Sequence, residues 1–139
     1  MTLRAMAEES CSHLPERRVD KPWGHEIWFA VTDRYAGKLL HIDAGESLSL
    51  QYHERKDEAI MVISGDLELQ LGDATGVIRS HLLHRGDCQR IVPHQLHRMV
   101  AKTTVEVCEV STPDLDDVVR VEDRYGRAGS EADGGSRGG

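Results

Sequence analysis

The stretch from residue 45 to 65, GESLSLQYHERKDEAIMVISG, constrains this chain more than any other part of it. Its apolar residues alternate as they do in strands, and eight positions carry an amide, an imidazole and a carboxylate, at Gln51, His53 and Glu58. Gln51 and His53 are two apart, which on a strand sends both side chains to one face, with Leu48, Leu50 and Tyr52 on the other. Glu54 to Asp57 reads as a polar turn. Glu58 then opens a second apolar run, Ala59 to Ile63, which stops at the turn signal Ser64-Gly65-Asp66. A hairpin of the two runs would swing Glu58 back toward Gln51 and His53. His97, in RIVPHQLHRMV, follows a Pro-containing turn and heads another apolar run. Two imidazoles, one carboxylate and one amide oxygen suit a borderline divalent ion such as Zn, Mn, Fe, Co or Ni.

The rest of the chain reads as strands and turns. His25 to Val31 forms a first strand after the turn at Lys21-Pro22-Trp23-Gly24, where Trp23 is either a packed ring or a platform for a sugar face. In GKLLHID, residues 37 to 43, Lys38, Leu40 and Ile42 share one face, and an isolated Lys there is ordinarily an edge or solvent residue. Leu67, Leu69 and Leu71 alternate with Glu68 and Gln70, and strands follow over Val77–Leu83, Cys88–Val92, the HRMVA run and Thr103–Val110. Turns rich in Gly and Asp separate them, which indicates antiparallel pairing without intervening helices. His81 and His84 are three apart, on opposite faces of a strand, and are not a metal pair. Alternation leaves open whether Glu109 faces a cleft.

The spacing Gly45-x5-Gln51-x-His53-x4-Glu58-x6-Gly65, followed by Gly86, Pro93 and His97, resembles the two sequence motifs of the cupins. Most cupins have His at the position of Gln51; Gln occurs there in the cupin domain of type II mannose-6-phosphate isomerases. The blocks Lys21-Pro22-Trp23-Gly24, LSLQYH and DDVVRVEDRYGR resemble that group as well, so the likeness runs over residues 19 to 127. The loop at Pro93-His94-Gln95-Leu96-His97 is one residue shorter than the usual second motif, with Gln95 where Gly is common. His97 is preferred to His94 as ligand because it leads directly into a strand and is followed by Arg98, as the family pattern has it.

The resemblance implies an all-β, double-stranded β-helix or jelly-roll barrel of about nine or ten strands. Asp116 to Arg127 would add a short helix or turn. A metal would be held by Gln51, His53, Glu58 and His97. Lys38, Arg98 and Arg120 would be cations for a phosphate or a developing oxyanion, with Glu109 as base. The implied chemistry is proton transfer on a sugar or sugar phosphate, of the aldose–ketose isomerase kind. An Fe(II)-dependent oxygenase and a non-catalytic binding cupin use the same atoms. The nucleotidyltransferase domain that often precedes this cupin in the family is not expected here.

Length and charge bound the remainder. The 139 residues suit one domain, expected over 18–127, between a mobile arm at 1–17 and a disordered Gly/Ser-rich tail at 128–139. A net charge of −7, with 17 basic residues dispersed among 24 acids, argues against a nucleic-acid surface. No apolar run approaches a membrane span and no secretory signal is evident, so a cytoplasmic protein is expected. Cys88 and Cys108 read as small core residues. Exposed strand faces and edges lead us to expect a homodimer.

Overall fold

The computed structural model describes residues 13–15, 17–127 and 129–131. Among them are twelve strands and no helix: β1 Arg17–Lys21, β2 Gly24–Val31, β3 Ala36–Ile42, β4 Leu50–Tyr52, β5 Glu58–Ser64, β6 Leu67–Gly72, β7 Ile78–Leu83, β8 Cys88–Ile91, β9 His97–Ala101, β10 Val105–Ser111, β11 Val118–Glu122 and β12 Gly129–Glu131. Among the described residues no helix is long and apolar enough to cross a membrane. The strands form two six-stranded antiparallel sheets, ordered β1-β2-β3-β10-β5-β8 and β12-β11-β4-β9-β6-β7. This is the double-stranded β-helix that the family resemblance implied, with twelve strands among the described residues in place of the nine or ten expected.

Three local expectations change. Asp116–Arg127 is a strand followed by a turn, because Val118 and Arg120 alternate inward and β11 completes a ladder on β4. The hairpin expected between the Gln51 and Glu58 runs does not form. β4 and β5 belong to opposite sheets, so the two runs face each other across the interior. Most of the expected arm and tail lies outside the described residues, although Arg17 already begins β1 and Gly129–Glu131 pairs with β11.

The interior is built by strand alternation. Trp23, Leu40, Ile42, Leu48, Ile60, Val62, Leu67, Leu69, Ile91, Met99, Val105 and Val107 form one buried cluster between the sheets. Burying side chains of this size contributes about 1.5–3 kcal/mol each, before entropy is subtracted. Trp23 is fully buried, so of its two readings the packed ring is the one seen. Its turn requires Gly24: at φ +152°, a Cβ there would stand 1.9 Å from the His41 carbonyl oxygen. Gly65 is equally constrained, with φ +83° and Thr104 O 2.2 Å from where a Cβ would lie. Cys88 is exposed and Cys108 half-buried, which corrects their expected core placement. On β10 the inward positions are Val105, Val107 and Glu109, and Cys108 falls on the other face.

Candidate metal centre

Antiparallel register brings the polar side chains together at one end of the interior. Gln51 on β4 pairs with His97 at the head of β9, and Arg120 on β11 pairs with Gln51 from the other side. In the facing sheet, Lys38 lies between Trp28 and Glu109 in one cross-strand row. Glu58 opens β5 opposite Ser111. Lys38, Gln51, His53, Glu58, His97, Glu109 and Arg120 are all 3% exposed or less, so seven of the eight residues expected at the site converge in the interior.

His53, Glu58 and His97 offer ligand atoms within 4.8 Å of one another. His53 Nε2 is 3.4 Å from Glu58 Oε2, and His97 Nε2 is 3.9 Å from Glu58 Oε1. Two donors on one ion at about 2.1 Å stand about 3.0–3.4 Å apart, so the set needs little adjustment to close on a metal. Both rings are oriented for it. His53 Nδ1 donates to the Asp117 carbonyl at 2.5 Å and His97 Nδ1 to the Gln95 carbonyl at 2.9 Å. With Nδ1 engaged outward, each ring turns Nε2 inward, and His53 Nε2 is buried without a hydrogen-bond partner. Burial foremost, then the neighbouring His53 and Lys56, pushes His97 down to about 4 against the opposing pull of Glu58, so its ring is neutral at neutral pH. Glu58 lies well below the usual carboxylate range: burial would raise it, but Lys56, His53 and His97 outweigh that.

Gln51 Oε1 accepts from Ser49 Oγ at 2.9 Å, and its Nε2 faces His97 Nε2 at 3.5 Å. A half-turn of the amide would present Oε1 to the histidine side while Ser49, able to accept as well as donate, keeps its contact. His94 is exposed and outside the cluster. It takes the left-handed backbone, φ +69°, that the shortened loop requires, and its N–H donates to the His53 carbonyl at 2.6 Å. That conformation is uncommon for a residue with a Cβ.

Arg98 is not brought to this place. It follows His97 on β9, so its side chain leaves by the opposite face, toward Glu122 at 3.7 Å in an open cleft with Ser47, Asp123 and Arg124.

Four buried residues were not singled out from the sequence. Lys56, inside the segment read as a polar turn, places Nζ 3.0 Å from Glu58 Oε2 and 2.9 Å from Glu109 Oε2. Burial would lower its pKa, but the Glu109 and Glu58 carboxylates more than reverse this and raise it, keeping the ammonium charged. Glu26 accepts from Trp28 Nε1 at 2.9 Å and lies 3.7 Å from Lys38 Nζ, which is itself 4.6 Å from the Trp28 ring centroid. Lys21 is pushed down to about 8, chiefly by burial, with Lys38, Arg120 and Arg127 adding to the shift and Glu26 opposing it. Asp117 caps the loop after His53. Alternation offered a signal for Glu26, which shares a strand face with Trp28. Lys56 sits in a turn, where periodicity is silent.

The family model for the mannose-6-phosphate isomerase C-terminal domain matches residues 8–123. The chain belongs to this family. XanB, the xanthan biosynthesis protein of Xanthomonas campestris pv. campestris (strain B100), is 33% identical over 116 residues, covering 80% of this chain and 24% of that protein. ManC of Salmonella typhimurium, named mannose-1-phosphate guanylyltransferase, is 31% identical over 120 residues, 83% of this chain and 24% of that protein. The chain thus spans about a quarter of these relatives' length. Among solved structures, KdgF from Halomonas sp. superposes with TM-score 0.64 at 23% identity, over 73% of this chain and 91% of that one. Oxalate decarboxylase from Bacillus subtilis gives 0.67 at 14% identity, over 76% and 30%. These structural likenesses establish the cupin fold.

Proposed function

We propose that the protein is a metal-dependent cupin enzyme that moves a proton between neighbouring carbons of a sugar or sugar phosphate, interconverting aldose and ketose. One observation carries this reading: a His-Glu-His set with Nε2 atoms turned inward shares the buried polar end of the interior with a carboxylate, Glu109, and with Lys38, Lys21 and Arg120. His53, Glu58 and His97, with Gln51 as fourth donor, would hold the ion. A divalent ion there supplies Lewis acidity toward a carbonyl. Glu109, held by Lys56, would take and return the proton, and the low-dielectric walls strengthen every charge interaction around it. Lys38 and Arg120 would receive a phosphate or the developing oxyanion; Arg98, on the outer face, leaves this group. The family's description makes a mannose phosphate the first substrate to test. A neutral amide donor leaves the ion more electrophilic than a third imidazole would, which favours Lewis-acid work over redox cycling.

A second reading rests on the same geometry. His53, Glu58 and His97 are also a two-histidine, one-carboxylate set that with Fe(II) supports oxygen activation. A panel of Zn, Mn, Fe, Co and Ni forms assayed on sugar phosphates, with and without oxygen, separates the two. Aldose–ketose exchange independent of oxygen supports the isomerase. Oxygen consumption with Fe(II) and no exchange replaces it, and binding without turnover leaves a sensor of small molecules.

The working form is proposed to be a cytoplasmic homodimer without a nucleic-acid partner. Leu39, Met61 and Val110 expose apolar surface on the outer face of one sheet, which a second copy would cover. Light scattering that finds only the 15.5 kDa chain would overturn the dimer.

A further inference from the structure

The loop Glu54–Asp57 crosses from one sheet to the other, from His53 beyond β4 to Glu58 at the head of β5. Its shape therefore sets the separation of two of the proposed ligands. One residue from a distant part of the chain gathers three of its N–H groups. Asp117, 7% exposed, accepts the Glu54 N–H on Oδ1 at 3.0 Å and the Arg55 and Lys56 N–H groups on Oδ2 at 2.6 and 2.9 Å. Three successive N–H groups turned toward one point form a concavity that favours an anion, and here the anion is a side chain. The same residue's carbonyl receives His53 Nδ1–H at 2.5 Å. Burial would raise the Asp117 carboxyl, but the three backbone N–H groups outweigh it and hold it low, so it remains ionised. Thr112 secures the far end of the loop, where its Oγ1 accepts from Asp57 N at 3.2 Å.

We propose that Asp117 is a positioning residue of the metal centre: its carboxylate shapes the loop between His53 and Glu58 and, by anchoring the backbone of residue 117 to that loop, holds in place the carbonyl that sets which nitrogen of His53 faces inward. The proposal rests on the metal reading for its affinity effect, and on geometry alone for its effect on His53. Docking of β11, which begins at the next residue, is thereby coupled to ligand geometry. By linkage, metal binding slows amide exchange at the N–H groups of Glu54, Arg55 and Lys56.

The test compares the wild type with Asp117→Ala, Asp117→Asn and Leu69→Ala. The last destabilises the apolar end, away from the ligands. With Zn2+ alone as probe, in competition with a chromophoric chelator at neutral pH, Asp117→Ala is expected to bind about 10- to 100-fold more weakly, as for other residues that orient metal ligands. Asp117→Asn, which keeps one acceptor oxygen, is expected between the two, and Leu69→Ala is expected to match the wild type. Asp117→Ala keeps the backbone carbonyl, so long-range 1H–15N spectra of the metal-free proteins read whether the carboxylate holds that carbonyl in place: a single Nδ1–H tautomer is expected in the wild type and its loss in Asp117→Ala. If Asp117→Ala does not fold, Asp117→Asn carries both measurements. Affinity within about twofold of wild type together with an unchanged His53 tautomer overturns the proposal. If the wild type binds no Zn2+, the metal reading fails by itself. The His53 tautomer then decides the positioning role, which an unchanged ring overturns.

Discussion

The two ends of the interior are made from the same strands and have opposite chemistry. β3 presents Leu40 and Ile42 to one end and Lys38 to the other. β5 presents Ile60 and Val62, then Glu58; β9 presents Met99 and Ala101, then His97; β10 presents Val105 and Val107, then Glu109. Because β10 runs antiparallel to β3 and β5, its polar residue comes last in the strand where theirs come first. The apolar end supplies packing, and the polar end places buried ions that would be unfavourable without partners. A short polar stretch at one end of each wall strand thus makes a site without breaking the ladder that supports it.

Substitutions at the two ends should therefore separate stability from metal binding. The largest effect is expected at Lys56. Lys56→Ala leaves Glu58 and Glu109 buried without their shared cation, at a cost of about 3–5 kcal/mol in denaturant unfolding of the metal-free protein. Added metal should recover part of that loss, because it supplies positive charge beside Glu58. Leu69→Ala, at the apolar end and fully buried, should cost about 2–5 kcal/mol and leave metal affinity unchanged. A large affinity loss in Leu69→Ala would break the comparison.

Gln51→Ala removes a neutral donor, so titration should show a smaller loss of affinity than in His53→Ala, on the order of 1 kcal/mol. The smallest effect is expected outside the interior, at His41, whose ring nitrogens face Glu106 and Asp43 on the outer face of β3. The hydrogen bond to Glu106 raises its pKa, with the Glu106 and Asp43 charges adding to the shift and burial opposing it. Its contribution is then full below the unfolded value near 6.5 and is lost as pH rises through the higher folded value. His41→Gln should destabilise at pH 5.5 more than at pH 8.5, by less than about 1 kcal/mol.

Much of this arrangement can be read in the chain itself. Period-two alternation and Gly/Asp turns mark the strands, and the spacing of Gln51, His53, Glu58 and His97 marks the family and the cluster. Sheet membership could not be read, because local pattern does not say whether consecutive strands pair or face each other; hence the expected hairpin around Glu54–Asp57. Lys56 was hidden for a related reason, since a Lys in a polar turn looks solvated until both of its carboxylate partners, one of them 53 residues away, are in place. Arg98 is the reverse case. Strand alternation already set it against His97, and the family pattern outweighed that signal. Asp117 acts through backbone groups more than 60 residues earlier, which no periodicity encodes.

The central claim is that His53, Glu58 and His97 hold a divalent ion, and elemental analysis of metal-loaded, dialysed protein tests it most directly. About one ion per chain in the wild type, and far less in both His53→Ala and His97→Ala, is the predicted result. Equal metal content in all three proteins would contradict it.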